Sequence, residues 1–248
     1  MSRSIKRLLI IIVILMTISI PLLRRVLFVE INNEKYCILS SKIVVHGFVS
    51  RNDTEMISRF KSVKDLSVSS IDPDISFAKH LTRLESLSLW ISDIENRDID
   101  FSPLNSCKKI KEFGITCNSI DGSVIANMHE LRKIVIHADH ITNSSQIWEC
   151  SELETANIIL PSEGLSLKGT GNLEKLNYLY LSGDGEVSDA SELCECNSLT
   201  ELGIVCEIED TSFLKDMPNL EKLYIKKGMI DQKTINALED KNVEITFY

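Results

Sequence analysis

The sequence predicts an α/β solenoid: short strands stacked side by side, joined by compact helical or irregular return segments and preceded by one transmembrane helix. Three observations carry that expectation. An aliphatic pattern recurs at intervals of 21 to 26 residues, two further columns of residue types keep step with it, and an uncharged run flanked by cations opens the chain. Composition agrees. Of 248 residues, 44% are hydrophobic and 25% charged, which suffices for a core, and 10 glycines with 5 prolines exclude collagen-like and low-complexity classes. The net charge is −9, but the first 25 residues hold five cations and no acid, so the remainder carries −14. A body that acidic, with no segregated basic stripe, repels phosphate backbones, and nucleic acid is not an expected partner.

The first element is the membrane segment. Residues 8–23 (LLIIIVILMTISIPLL) carry no charge, with Arg3, Lys6 and Arg7 before them and Arg24 and Arg25 after. As a helix, 16 residues span about 24 Å, short of a hydrocarbon core of roughly 30 Å, although snorkelling arginines and an extension through residues 26–29 can close the gap. A cleaved signal wants small residues two apart near its end. Only Thr17 and Ser19 offer themselves, and two arginines beyond such a site are unusual, so an uncleaved anchor is favoured over a signal segment. Three cations and the α-amine on one flank against two cations on the other put the amino terminus in the cytoplasm and the repeats outside. The expected organisation is residues 1–29 as flank and membrane anchor or signal segment, 30–62 as linker and amino-terminal cap repeat, and 63–248 as repeats ending in a cap helix and strand.

The repeats open VKDLSV (63), LESLSL (84), IKEFGI (110), LRKIVI (131), LETANI (153), LNYLYL (176), LTELGI (199), LEKLYI (220) and VEITFY (243). In the first eight copies aliphatic residues hold the first, fourth and sixth places, with Phe113 and Ala156 as mild exceptions at the fourth, which describes a short strand with one face inward. Ile43 and Val45 align as the strand of a first cap repeat, and residues 53–60 read as its short helix. Eight residues before each next start stand Ser76, Ser102, Ser123, Ser145, Ser191 and Ser212, interrupted by Lys168. Their hydroxyls are expected to cap short helical turns. Three before each start stand Phe60, Leu81, Cys107, Met128, Cys150, Leu173, Cys196 and Met217, a column of buried hydrophobes. No copy can bury its apolar edge alone, so neighbours must stack.

Segments such as VSDASELCECNSL and IEDTSFLKDMPNL resemble the leucine-rich repeats of the short, bacterial internalin-like type, in which an Ile-x-Asp-x-Ser-x-Leu run joins one LxxLxL strand to the next. The resemblance covers residues 63–248. It implies a leucine-rich repeat solenoid with a curved parallel sheet, a concave face that most often binds protein, and no active site. Departures are visible. The asparagine three places after the strand's last aliphatic is present as Asn118 but replaced by Ser92, Asp139, Pro161 and Asp184 elsewhere. The copy at 84 carries an insertion around residues 96–100, and the copy at 153 has Gly164, Gly169 and Gly171, so those two turns are expected to bulge or loosen.

Seven cysteines (Cys37, Cys107, Cys117, Cys150, Cys194, Cys196, Cys206) are an odd number for an oxidising compartment. The column assigns three of them to the core, and Cys194-Glu-Cys196 lacks a second cluster that would complete a metal site. His137-Ala-Asp-His140 projects its rings in different directions, and Cys117 with His137 is a poor candidate for thiol catalysis. No enzyme, cofactor or metal is expected. Asn52 and Asn143 head glycosylation sequons, relevant only in a glycosylating host.

A binding site is expected on the concave face. The fifth places read Ser67, Ser88, Gly114, Val135, Asn157, Tyr180, Gly203 and Tyr224; the seventh read Ser69, Trp90, Thr116, His137, Ile159, Ser182, Val205 and Lys226. Trp90, His137, Ile159, Tyr178, Tyr180, Val205, Tyr224 and Lys226 are the expected protein-binding residues, because aromatics are scarce in the chain yet gather here. The sequence thus describes a membrane-anchored, non-catalytic repeat protein that binds a protein partner. Two alternatives stay open: a structural surface or envelope repeat protein without a specific ligand, and a cytoplasmic-facing adaptor with reduced thiols.

Overall fold

The computed structural model describes residues 26–72, 74–91 and 99–248. The run at 8–23, Ser92 and most of the insertion at 96–100 lie outside these residues. Among the described residues no helix is long and apolar enough to cross a membrane.

The chain enters through an antiparallel hairpin of β1 (Phe28–Ile31) and β2 (Glu34–Cys37), turned by Asn32 and Asn33 at φ 53° and 62°. The sequence pattern suggests only a linker and a possible helical extension here. In the structure Val29 and Ile31 are buried as alternate residues of a strand. An 11-stranded parallel sheet follows: β3 (Lys42–Val49), β4 (Asp65–Ile71), β5 (Ser86–Ile91), β6 (Glu112–Asp121), β7 (Lys133–Thr142), β8 (Thr155–Leu160), β10 (Tyr178–Ser188), β11 (Glu201–Ile208), β12 (Lys222–Ile225) and β13 (Glu244–Phe247) run in chain order, with the two-residue β9 (Leu165–Ser166) beside β10. The return segments are α1 (Arg51–Ile57), α2 (Gly122–Ala126), α3 (Gln232–Asp240) and short 3₁₀ turns such as Ser102–Ser106 and Ala190–Glu195. This is a leucine-rich repeat solenoid with a curved parallel sheet and short helices.

The register bears out the repeat frame. Lys42, Asp65, Ser86, Glu112, Lys133, Thr155, Tyr178, Glu201 and Lys222 are successive partners, all at the third place of their copies. The first, fourth and sixth places are buried from β4 to β12. The last copy is a correction. Lys222 pairs with Glu244 and Leu223 with Ile245, so β13 starts one residue earlier than its VEITFY pattern suggests. Val243 is buried and imitates a first-place aliphatic, but α3 replaces the usual turn and changes the length of the return.

The serine column is a second correction. Ser76, Ser102 and Ser212 begin their turns and Ser123 is the second residue of its own, yet the capping side chain belongs to the aspartate two residues earlier. Asp74, Asp100, Asp121 and Asp210 each accept the serine's backbone N–H at 2.7–3.0 Å. A carboxylate accepts an amide more strongly than a hydroxyl does; these bonds hold Asp121 and Asp210 below the usual carboxylate range, and at Asp100 the Ser102 side chain does so first, with its backbone N–H second. At the copy without serine, the backbone N–H of Lys168 turns to Ser166 Oγ instead.

The glycine-rich turn after β8 does not loosen. Gly164 sits at φ 86° with room for no Cβ, since one would meet the Glu186 carbonyl oxygen at 2.4 Å. That approach lets β9 pair with Val187 and Ser188, and Trp148 Nε1, Ser166 Oγ and the Gly169 amide then pin the turn to Ser166 O, Asp189 and Glu192.

The column three before each start is buried throughout, Cys107, Cys150 and Cys196 included. Their thiols donate to carbonyls of the preceding rung, Cys107 to Ala78 and Cys150 to Ile125, both at 3.3 Å. Burial pushes the Cys107 thiol up to about 11 and those of Cys150 and Cys206 up to about 12. The deprotonated form is the charged one, so unfolding releases these thiols to ionise at their ordinary value. Their contribution to stability is therefore complete below pH 9 and is lost as pH rises toward 11–12. Denaturant titrations at increasing pH are expected to show a steeper alkaline decline for the wild type than for the Cys107→Ala/Cys150→Ala double variant.

Candidate functional site

Strand alternation sends the fifth and seventh places out of the sheet, and the ladder then sets them side by side. Ser67, Ser88, Gly114, Val135, Asn157, Tyr180, Gly203 and Tyr224 are register partners in succession, as are Trp90, Thr116, His137, Ile159, Ser182 and Val205. All eight expected binding residues lie on this open face or its rim: Tyr178 at a third place, Lys226 just beyond β12, where it pairs with Glu207 at 3.2 Å. Trp90 is 60% exposed, Val135 and Ile159 are exposed, and Tyr178, Tyr180, Val205 and Tyr224 are half-buried. Burial on both sides is the rule for parallel sheets, so an uncovered apolar face is the informative feature.

The face has two parts. At one end Trp90 borders a depression of roughly 590 Å³ floored by Ser67, Ser88, Gly114, Thr116 and Val135, where serine and glycine leave room that larger side chains would fill. At the other, four tyrosines gather. The Tyr180 ring occupies the space over Gly203: a Cβ on that glycine would stand 2.1 Å from the ring's Cδ2. Tyr224 and Tyr248 have ring centroids 6.5 Å apart. Partial burial pushes the Tyr178 hydroxyl up, with Tyr180, Tyr224, Glu201 and Tyr248 adding to it, and burial likewise raises Tyr180. Trp90 on β5 and Tyr180 on β10 are four strand steps apart, about 19 Å, and His137, Asn157 and Ile159 lie between them.

Two contributors lie beyond the eight copies that start at 63 to 220. Tyr248 falls at an outward place only in the corrected register of β13, whereas the VEITFY frame points it inward. Val44, the fifth place of the cap strand, is exposed beside Ser67. Other sequence candidates disperse. His137 is exposed on the open face, whereas His140 leaves it and meets Glu163 Oε2 at 2.7 Å, a contact that holds the imidazole above its ordinary value. Cys194 is half-buried in a return segment with its thiol on the Phe213 carbonyl, and Cys196 is in the core. Among the described residues no group of three His, Cys, Asp or Glu side chains could hold a metal ion.

Gly203→Ala is expected to lift the Tyr180 ring off the sheet and return its hydroxyl toward the ordinary tyrosine value. Tyrosine ring NMR followed through an alkaline titration reads that change directly.

No protein-family model and no curated protein sequence matches the chain. Solved structures do. An internalin (inlF) of Listeria monocytogenes is 19% identical with a TM-score of 0.62, covering 87% of this chain and 70% of its own. Internalin C2 of the same organism is 22% identical at 0.59, covering 77% and 84%. A leucine-rich repeat protein of Leptospira interrogans is 14% identical at 0.56, and the match spans 84% of this chain but about half, 53%, of that one. The shared fold is the leucine-rich repeat solenoid, an architecture whose extended sheet surface in general serves protein–protein interaction.

Proposed function

We propose that this chain is a membrane-anchored, non-catalytic leucine-rich repeat protein whose open sheet face binds a protein partner outside the cytoplasm. One observation carries the binding reading: the large exposed apolar and aromatic side chains of the repeats all lie on the sheet face or its last rung, and none on the return side from residue 63 to 243 among the described residues. Strand propensity alone would favour β-branched residues on both ends of the ladder equally. It does not explain a tyrosine laid over a glycine in the adjacent strand, nor an exposed tryptophan beside small residues. Tyr and Trp combine large contact area with few rotors, the usual anchor chemistry of an interface. Support for the anchor comes from the uncharged run at 8–23 and its flanking arginines.

Two measurements test the reading. Sequencing the mature amino terminus together with carbonate extraction is expected to find residue 1 or 2 first and the chain in the pellet; a start near residue 20 and a released protein contradict the anchor. Protease added to sealed cells or right-side-out vesicles is expected to digest the repeats; full protection places them in the cytoplasm and favours the adaptor.

A further inference from the structure

Large exposed apolar side chains among the described residues also crowd one place outside the open face. The amino-terminal cap shows Val26, Phe28, Leu39, Phe48 and Met56 to solvent. In β1 the core takes Val29 and Ile31, so Phe28 and Glu30 face away from it. The Arg59 guanidinium, just past α1, donates to the Val26 carbonyl at 3.3 Å. That contact ties the end of α1 to the start of β1. These side chains are 55%, 41% and 40% exposed at 26, 28 and 56, although the cap's own core is complete, with Ile57 and Phe60 fully buried.

Charge singles out the same region. Residues 26–62 carry five cations (Lys35, Lys42, Arg51, Arg59, Lys61) against four acids, while residues 63–248 carry −15, the total of −9 less five for the amino-terminal segment and one for the cap. The cap is thus the part of the folded domain that an anionic surface does not repel. Position agrees with charge. Only Arg24 and Arg25 separate Leu23, the end of the uncharged run, from Val26, so the two are at most about 11 Å apart along the chain.

We propose that the cap is seated on the phospholipid bilayer, with Val26, Phe28 and Met56 in the interfacial layer, Arg59 and Lys61 beside the lipid phosphates, and the acidic repeats rising away from the surface. This inference rests on the anchor reading. Apolar side chains beside Arg59 and Lys61 gain from burial at the headgroup boundary and from attraction of those two cations to anionic lipid, set against the repulsion of exposed Glu30 and Glu55. Held at the cap, the open face stands clear of the membrane, free for a partner.

The test uses the full chain in vesicles of phosphatidylcholine and phosphatidylglycerol with brominated acyl chains. Tryptophan is introduced singly as Phe28→Trp, Met56→Trp and, on the return side of a repeat, Lys108→Trp. The added emission at 28 and 56 is expected to be largely quenched, and that at 108 retained. Unquenched emission at 28 and 56 from a chain that resists carbonate extraction overturns the proposal and leaves the anchor standing. A chain extracted by carbonate overturns both. Crosslinking of one cap to another, with loss of quenching, overturns it in favour of a second copy.

Discussion

Trp90→Ala and Tyr180→Ala are each expected to weaken partner binding about thirtyfold, because truncating an interface anchor typically costs about 2 kcal/mol. Their folding transitions should move little. Trp90 is mostly exposed and borders a depression rather than filling a core, and Tyr180 is half-buried on the open face with its ring against Gly203. Exposed strand residues usually shift stability by about 1 kcal/mol or less when truncated. Thermal melts beside binding isotherms separate the two effects. Unfolding by both variants, or undiminished binding, assigns the aromatics to packing and favours the structural reading. The double variant should be close to additive, since about 19 Å separates the two positions.

Cys150→Asp carries the largest expected effect on stability. Cys150 is 1% exposed, its thiol reaches only a carbonyl, and its column neighbours on adjacent rungs are Met128 and Leu173. A carboxylate there finds no cation and must be buried unpaired or kept protonated, at a cost of several kcal/mol. A solenoid transmits that cost to its neighbours, because each rung is stabilised by the stacking of the next. The variant is expected to lose cooperative unfolding, with hydrogen exchange fastest in the rungs around β7 and β8. Cys150→Ala, which leaves only a small cavity, should cost about 1 kcal/mol. Equal stability of both variants, or rapid labelling of the native thiol, contradicts the core assignment.

The repeating part of the fold is legible in the sequence because period-two burial and a constant rung length are written in residue types. Leu87, Ile134 and Leu202 align by residue type alone, and the outward places follow from strand alternation. What stays illegible lies where the repeat rule stops. The β1–β2 hairpin has too few residues for a periodic signal and depends on two asparagines at positive φ. The one-residue offset at β13 arises because Val243, buried at the end of α3, satisfies the same aliphatic rule as a true first place, and it hides Tyr248. Serine and aspartate two apart can each cap a turn, and only geometry shows that the carboxylate takes the amide. At Gly164 flexibility and close approach look identical in sequence. The pairing of β9 with β10 decides for close approach.

The central claim, that the open face is the binding face, is tested most directly by site-specific photocrosslinking in intact cells. A photoreactive phenylalanine analogue is placed singly at His137, Tyr180 and Tyr224 on the open face and at Lys108 and Glu174 on the return side. The expected result is one adduct of common size from the three face positions and none from the two return positions. Adducts from the return side alone, or the same yield from all five, would contradict it.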